Sequence, residues 1–408
     1  MGFNPLAEKG IAIEKQFRSW SELEVIPYDK NSVDPYTRCR VIALNGAEFE
    51  AQWFMHHFAR HTTDLEVKRN LALVRRLEQQ QQKAISSLIP GNETTLEHTI
   101  GYEQVAVDLT AALARNEPDP YVKNALDFAL LEDFDHLYRY ANLLDMLEGV
   151  QAESIVGKLT EITPGRPTIS EHRFPFDDVR KGYDRKKANI LTKLHVNTIV
   201  AAEQQTMNYY MNSANRFEDP LARQLYSEIG IIEEQHVTHY ESLADADTSW
   251  FEMQVLHEYN ECYLYYSFMS QETDPRIKKL WELHLNMEIE HLRKACEMLK
   301  QYEKQDASQI LPKELPALTL FESNIDYVRE VLAAQVDLTC KGTEFVPVDD
   351  LPRDYRYFQY QDTINNGKGV PSQNVIERHI NEFGRDYRFE ARGPHPVERL
   401  RAVETVTI

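Results

Sequence analysis

Apolar and polar residues follow a helical period over two long stretches of this chain, and aspartates mark where the helices begin. Asp64, Asp119, Asp219 and Asp274 each precede such a stretch, and all but the first are followed by proline. An aspartate accepts hydrogen bonds from the free N–H groups of a first turn, and proline at the first helical position has none to leave unpaired. The interval between the first two caps is the same as that between the last two. This spacing predicts a helical hairpin that is used four times.

The second half of the chain repeats the first at a constant offset of 155 residues. This 155-residue offset aligns Glu78, for example, with Glu233. With this offset, segment 116–137 aligns with 271–292 without a gap. The pattern therefore predicts an all-α protein made of two tandem four-helix bundles. The predicted helices cover residues 45–62, 65–88, 97–116 and 120–147, and in the second copy residues 195–217, 220–244, 252–271 and 275–300.

The predicted bundles leave three parts of the chain outside them. Turn-forming residues precede the first bundle, Pro and Gly interrupt the connection between the two copies, and aromatic residues, Pro and Asp dominate the end of the chain. The predicted divisions are an irregular N-terminal extension (1–44), a first bundle (45–148), a linker (149–194), a second bundle (195–300) and a C-terminal helix with an extended tail (301–408).

Composition narrows the class of protein. With 45 basic and 65 acidic residues the formal charge is −20, which argues against a nucleic-acid partner. No apolar run approaches the roughly 18 residues of a membrane span, and the N-terminus lacks the pattern of a signal peptide. We therefore expect a cytoplasmic protein without a membrane or nucleic-acid partner. The four cysteines form no CxxC pair and indicate neither a zinc site nor a disulfide framework: Cys39, Cys262, Cys296 and Cys340.

Carboxylates in the second copy are spaced to meet at one height of a bundle. Glu203 precedes the cap Asp219 by nearly as many residues as Glu233 follows it. At about 1.5 Å per residue, one helix descends roughly 24 Å and the next climbs roughly 21 Å. Glu258 and Glu288 stand in the same relation to the next cap. Four carboxylates are therefore predicted to converge.

Two histidines complete this set. His236 is three residues after Glu233, and His291 is three residues after Glu288, so each Glu-x-x-His pair lies on one helix face. One Glu from each of two helices plus a Glu-x-x-His from the other two is the arrangement of di-iron and di-manganese carboxylate proteins. The predicted metal ligands are Glu203, Glu233, His236, Glu258, Glu288 and His291.

This ligand pattern resembles the ferritin-like di-iron superfamily, with rubrerythrin-like features, in a tandem-duplicated form. The resemblance implies two ferritin-like bundles and a pair of iron ions in the second one, with manganese as the alternative metal. Glu261 lies where rubrerythrins carry an additional glutamate ligand, and an ordinary solvated side chain is the alternative. The chain departs from rubrerythrins because it has no Cys₄ module and because the connection between Glu233 and Glu258 is short.

The first copy carries a weaker version of the same set. Gln81 replaces a histidine and offers only a neutral amide oxygen, and Asp133 is one methylene shorter than glutamate. We expect this first-bundle site to be degenerate and to bind metal weakly or not at all. Its residues are Glu48, Glu78, Gln81, Glu103, Asp133 and His136.

The sequence leaves more than one function open. The leading hypothesis is an oxidoreductase that reacts with O₂ or peroxide at the second-bundle site, takes electrons from an unidentified donor and forms a homodimer. The alternatives are a non-catalytic iron-binding protein and a di-iron hydroxylase of an organic substrate. Several tyrosines near the predicted site could relay electrons or simply pack in the core: Tyr209, Tyr210, Tyr263, Tyr265 and Tyr266.

Overall fold

The computed structural model describes residues 2–367 and 369–402 and is mostly helical, as the sequence predicts. Its helices are α1 (Pro35–Arg60), α2 (Leu65–Ser86), α3 (Thr95–Asn116), α4 (Pro120–Glu148), α5 (Glu153–Val156), α6 (Thr168–Glu171), α7 (Ile190–Met211), α8 (Pro220–Glu241), α9 (Trp250–Gln271), α10 (Pro275–Glu303), α11 (Ile325–Gln335), α12 (Arg356–Asn365) and α13 (Pro371–Phe383). The strands β1 (Leu338–Lys341) and β2 (Glu344–Pro347) form an antiparallel pair. Among the described residues, no helix combines the length and the apolar character that crossing a membrane requires.

The four aspartate caps act as the sequence predicts. The side chains of Asp64, Asp119, Asp219 and Asp274 each accept hydrogen bonds from backbone N–H groups of the helix that follows. These caps fix the starts of α2, α4, α8 and α10, and hence the height at which each later carboxylate lies in its bundle.

The first helix is longer than predicted. It begins at Pro35 rather than at residue 45, because the Asp34 side chain accepts a hydrogen bond from the backbone N–H of Thr37 at 3.0 Å. Asp34-Pro35 is the same cap signature that precedes α4, α8 and α10. The N-terminal extension is therefore shorter than residues 1–44.

The predicted linker and tail are also more structured than expected. Residues 149–194 contain α5, α6 and the start of α7, and the tail contains the β1–β2 pair and two helices. Val375, Ile376 and His379 form the buried face of α13. An amphipathic helix of this kind is held by packing of its apolar face, so the description "extended tail" does not hold.

The chain divides into two compact units whose limits differ from the predicted bundles 45–148 and 195–300. The first unit combines the α1–α2 hairpin with the α9–α10 hairpin. The second unit combines the α3–α4 hairpin with α8 and the C-terminal half of α7. Each unit therefore takes one hairpin from each copy of the repeat. The first unit comprises Met1–Asn92, Tyr183–Ala202 and Ala244–Phe321; the second comprises Glu93–Gly182, Glu203–Leu243 and Glu322–Ile408.

Connection lengths give a physical reason for this exchange. The two hairpins of each predicted ferritin-like bundle would need one long crossover between them. The connection between α2 and α3, from Ser87 to Thr94, spans at most about 27 Å, whereas each of these helices is about 33 Å long. This connection is too short to run the length of a bundle. The connection between α4 and α7, from Gly149 to Asn189, is several times longer.

Each unit has its own apolar core. In the first unit, Met55 and Phe58 of α1 pack with Leu71 and Leu77 of α2, all at most 2% exposed. In the second unit a larger cluster joins α3, α4 and α8 and extends to α11 and α13. The C-terminal segment is thus part of the second unit's core rather than a loose appendage.

Candidate metal centres

Each unit encloses one cluster of carboxylates and histidine. The first centre lies in the first unit and draws residues from α1, α2, α9 and α10, none more than 3% exposed. Its members are Glu48, Glu78, Glu258, Glu261, Glu288 and His291.

The second centre lies in the second unit and draws residues from α3, α4, α7 and α8, none more than 1% exposed. Glu233 and His236 come from one turn of α8, as Asp133 and His136 come from one turn of α4. Its members are Glu103, Asp133, His136, Glu203, Glu233 and His236.

The side chains of both centres divide into overlapping subsites. Within each subsite, one potential ligand atom from every residue lies within 4.8 Å of the others. Glu78 belongs to both subsites of the first centre, and Glu233 to both subsites of the second. The first centre comprises the His291 subsite (Glu78, Glu258, Glu288, His291) and the all-carboxylate subsite (Glu48, Glu78, Glu261). The second comprises the His236 subsite (Asp133, Glu203, Glu233, His236) and the His136 subsite (Glu103, His136, Glu233).

A histidine faces the carboxylates in three of the four subsites, and does so through Nδ1. His291 Nδ1 lies 2.7 Å from Glu78 Oε1 and 3.1 Å from Glu288 Oε2. His236 Nδ1 lies 3.2 Å from Asp133 Oδ1, and His136 Nδ1 lies 3.1 Å from a Glu233 oxygen. One ring nitrogen of each histidine is thus directed into its centre.

The other nitrogen, Nε2, has a hydrogen-bond partner outside the ligand set. His291 Nε2 is 2.7 Å from the Gln16 side-chain oxygen, and His136 Nε2 is 2.8 Å from Glu171 Oε2. Metal-binding histidines commonly donate their second N–H to a carboxylate or carbonyl, which fixes the ring and the tautomer. These outer contacts leave Nδ1 as the nitrogen that is free to bind an ion.

His236 has the most elaborate outer support. Its Nε2 is 2.8 Å from Glu132 Oε2, and the Glu132 carboxylate is paired with Arg166, at 3.1 Å, and with Arg173. Burial alone would raise the pKa of Glu132, but the Arg173 and Arg166 guanidinium groups and His236 hold it well below its usual range. Glu132 therefore remains a charged acceptor for the imidazole N–H.

These outer residues were not predicted from the sequence, although the repeat contains a signal for two of them. The 155-residue offset carries Gln16 onto Glu171 and Gly10 onto Gly165. Each glycine lies directly against a helix backbone: a Cβ on Gly10 would be 2.8 Å from Asn286 O, and one on Gly165 would be 2.8 Å from the backbone nitrogen of Asp135. Glycine at both positions lets the following residues approach the histidine of their own unit.

Buried like charges dominate the electrostatics of the centres. Burial, together with neighbouring carboxylates, raises the pKa of Glu48, Glu258 and Glu261 well above the usual range in the first centre. Burial does the same for the pKa of Glu103 and Glu203 in the second. Without a compensating cation, these groups would have to bind protons in order to remain buried.

Glu233 differs from these carboxylates. Burial alone would raise its pKa, but hydrogen bonds from His136 and His236 lower it to about 2. It is therefore the carboxylate of the second centre that stays ionised most readily, and it is also the one shared by both subsites. A charged, shared carboxylate is suited to bridging two cations.

The donor set fits metal ions better than it fits internal hydrogen bonding. Within the described part of the chain, Asp133 Oδ2 and both carboxylate oxygens of Glu203 and Glu261 are buried and lack a hydrogen-bond partner. Buried polar atoms are seldom left in this state. Carboxylate oxygens and imidazole nitrogens at this spacing could hold iron or manganese.

The structure does not bring the six predicted ligands of the second copy together. Glu203, Glu233 and His236 belong to the second centre, whereas Glu258, Glu288 and His291 belong to the first. The predicted weak site of the first copy divides in the same way. Glu48, Glu78 and Gln81 lie in the first centre, and Glu103, Asp133 and His136 lie in the second. The cause is the exchange of hairpins, because each hairpin carries half of a ligand set.

Two of the predicted tyrosines contact the centres. The Tyr210 hydroxyl donates to Glu103 in the second centre, and the Tyr265 hydroxyl donates to Glu48 in the first. Tyr263 and Tyr209 instead donate to the backbone oxygens of Ala317 and Thr95. Tyr266 stacks on Phe3.

No protein-family model, curated protein or solved structure matches this chain. The site itself therefore provides the evidence for its function.

Proposed function

We propose that each centre binds a pair of divalent metal ions, and that the protein is an oxidoreductase that reduces O₂ or peroxide at iron in the second centre. The observation that supports this most strongly is the composition of the second centre. Two isolated glutamates and two acid-x-x-His pairs, from four helices, meet around a shared carboxylate. This is the ligand arrangement of ferritin-like di-iron and di-manganese carboxylate proteins.

A bound pair of ferrous ions would supply the electrons for reducing O₂ or peroxide. The chain supplies the rest. Glu233 holds a shared negative charge, and His136 and His236 present one nitrogen each. Glu171 and Glu132 keep those two rings oriented, and burial of all six ligands keeps bulk water away from the centre.

The Tyr210 hydroxyl orients one of the carboxylates of the second centre. It donates to the Glu103 carboxylate, and the side chain is fully buried between Tyr140 and Tyr226, whose ring centroids lie 5.2 and 5.6 Å away. The donated hydrogen bond orients one Glu103 oxygen, while the other lacks a protein partner within the described residues. That second oxygen is available as a ligand atom.

Glu171→Gln tests the outer support of the second centre. The substitution keeps a carbonyl acceptor for His136 Nε2 but replaces the carboxylate by a neutral amide, and loss of such a partner commonly weakens metal binding about 10- to 100-fold. We expect this loss at the His136 subsite, measured by competition with a chelator of known affinity. Metal binding in the first centre provides the internal control, because its ligands belong to the first unit and Glu171 belongs to the second. Unchanged affinity at the His136 subsite would contradict the assigned role.

Turnover tests the activity. Protein loaded with Fe²⁺ under anaerobic conditions should consume many equivalents of peroxide or O₂ per chain when an artificial electron donor is present. The control is the same quantity of free Fe²⁺ added to protein whose metal sites have already been filled with Zn²⁺. Consumption that stops after the bound iron has been oxidised once would instead indicate the non-catalytic iron-binding alternative.

A further inference from the structure

The 155-residue offset pairs the ligands of the two centres one by one. It preserves a carboxylate at four of these positions and a histidine at a fifth. The corresponding positions are Glu48 and Glu203, Glu78 and Glu233, Glu258 and Glu103, Glu288 and Asp133, and His291 and His136. Departures from this correspondence show where the centres differ in chemistry.

Three positions near the ligands depart from this correspondence. Gln81 in the first centre corresponds to His236 in the second, and Met287 corresponds to Glu132, the outer partner of His236. The third difference adds a ligand to the first centre, because Glu261 corresponds to Ala106. Compared with the second centre, the first therefore lacks a nitrogen ligand and its outer acceptor, and has one additional carboxylate.

Gln81 does not replace the missing nitrogen. Its side-chain Nε2 donates hydrogen bonds to Glu48 Oε1, at 3.1 Å, and to Glu288. An amide nitrogen that donates in this way has no lone pair for a metal. Gln81 instead orients two carboxylates of the centre.

Glu261 provides the replacement ligand. Its side chain is 3% exposed, and within the described residues neither oxygen has a hydrogen-bond partner. One of its oxygens lies within 4.8 Å of the nearest ligand oxygens of Glu48 and Glu78. An unpartnered buried carboxylate directed at two others indicates a cation rather than a hydrogen-bonded network.

We propose that this all-carboxylate subsite takes a hard, oxygen-preferring divalent cation, Mn²⁺ in particular, when Mn²⁺ is in excess over Fe²⁺, so that the first centre then holds a mixed pair of metals while the second holds iron. The proposal rests on the proposed function because it requires both centres to bind metal. Carboxylate oxygens suit Mn²⁺ and Mg²⁺, whereas imidazole favours later metals such as Fe²⁺. The difference in affinity between Fe²⁺ and Mn²⁺ should therefore be smallest at the one subsite that lacks histidine.

The test is site-resolved metal analysis of the full chain. Apo-protein is loaded anaerobically with Fe²⁺ and about a tenfold excess of Mn²⁺, to offset the intrinsic preference for iron. Anomalous differences from crystals are then collected on both sides of the iron and manganese absorption edges. We expect manganese at the Glu48/Glu78/Glu261 subsite and iron at the three subsites that contain histidine.

Two variants test the cause. Gln81→His combined with Glu261→Ala gives the first centre the ligand types of the second, and should lower the manganese-to-iron ratio at this subsite at least about tenfold. Glu261→Gln keeps the shape of the side chain and should empty this subsite while the other three stay occupied. It provides the test if the double variant does not fold.

The outcomes separate this proposal from the one on which it rests. Iron at all four subsites, or a metal distribution that neither variant alters, would overturn the mixed-metal assignment and leave the proposed function intact. Failure of every subsite to bind metal would overturn both. Electron paramagnetic resonance of the loaded protein gives an independent reading, because a coupled Mn²⁺/Fe²⁺ pair and a Fe²⁺ pair have different spectra.

Discussion

Glu233→Ala is expected to release both metal ions of the second centre and to leave those of the first in place. Glu233 is the carboxylate shared by the His136 and His236 subsites, so its loss removes a ligand from each. Its low pKa also makes it the most readily ionised carboxylate of the centre. Metal analysis after dialysis should show about half the wild-type content, all of it in the first centre.

Glu288→Ala is the matched variant, because Glu288 and Glu233 would be ligands of a single site if each copy of the repeat formed its own bundle. The structure places Glu288 in the first centre instead. We expect this variant to lose metal from the first centre only. If both variants lose the same ions, the two-centre assignment is wrong.

Removal of metal is expected to destabilise the protein strongly, and more so as the pH rises. An ion at about 1,000 times its dissociation constant stabilises a fold by about 4 kcal/mol. For a unit of roughly 200 residues this corresponds to about 10 °C in melting temperature. The comparison is a thermal melt of metal-loaded protein and of chelator-treated protein across a pH series.

The pH dependence follows from the direction of the carboxyl pKa shifts. Burial raises the pKa of Glu48, Glu103, Glu203, Glu258 and Glu261 above the values of the unfolded chain. In the apo-protein, the stability contributed by their protonated forms is complete below the unfolded pKa and is lost as the pH rises through the folded one. The apo-protein should therefore melt at a lower temperature at pH 8 than at pH 5. An apo-protein that becomes more stable over this interval would contradict the described burial of these groups.

Local features of the fold could be predicted from the sequence because they depend on neighbouring residues. Each aspartate cap satisfies the N–H groups of the helix that begins next to it, so Leu65, Pro120, Pro220 and Pro275 were correctly placed as first residues. The same rule, applied to Asp34-Pro35, would also have placed the start of α1. The height of each carboxylate follows from the caps in turn.

The pairing of hairpins could not be predicted from those heights. In every hairpin the first carboxylate precedes the cap by nearly as many residues as the second follows it, so any two hairpins can form a level ligand set. The deciding information was the short connection between Glu233 and Glu258, which already stood out as a departure from rubrerythrins. The outer acceptors are also non-local, since Glu171 and His136 are 35 residues apart and Gln16 and His291 are 275 apart.

The exchange of hairpins also affects how the protein folds as it leaves the ribosome. The α1–α2 hairpin is complete at Ser86, but its partner α10 ends only at Glu303. At about 5–20 residues per second, synthesis of the chain between these two points takes roughly 10–40 s. Throughout this time Glu48 and Glu78 lie on a hairpin whose apolar face has no partner. Domains usually fold in the order in which they are made. Here the first hairpin to be synthesised can complete its unit only after the last hairpin has been synthesised.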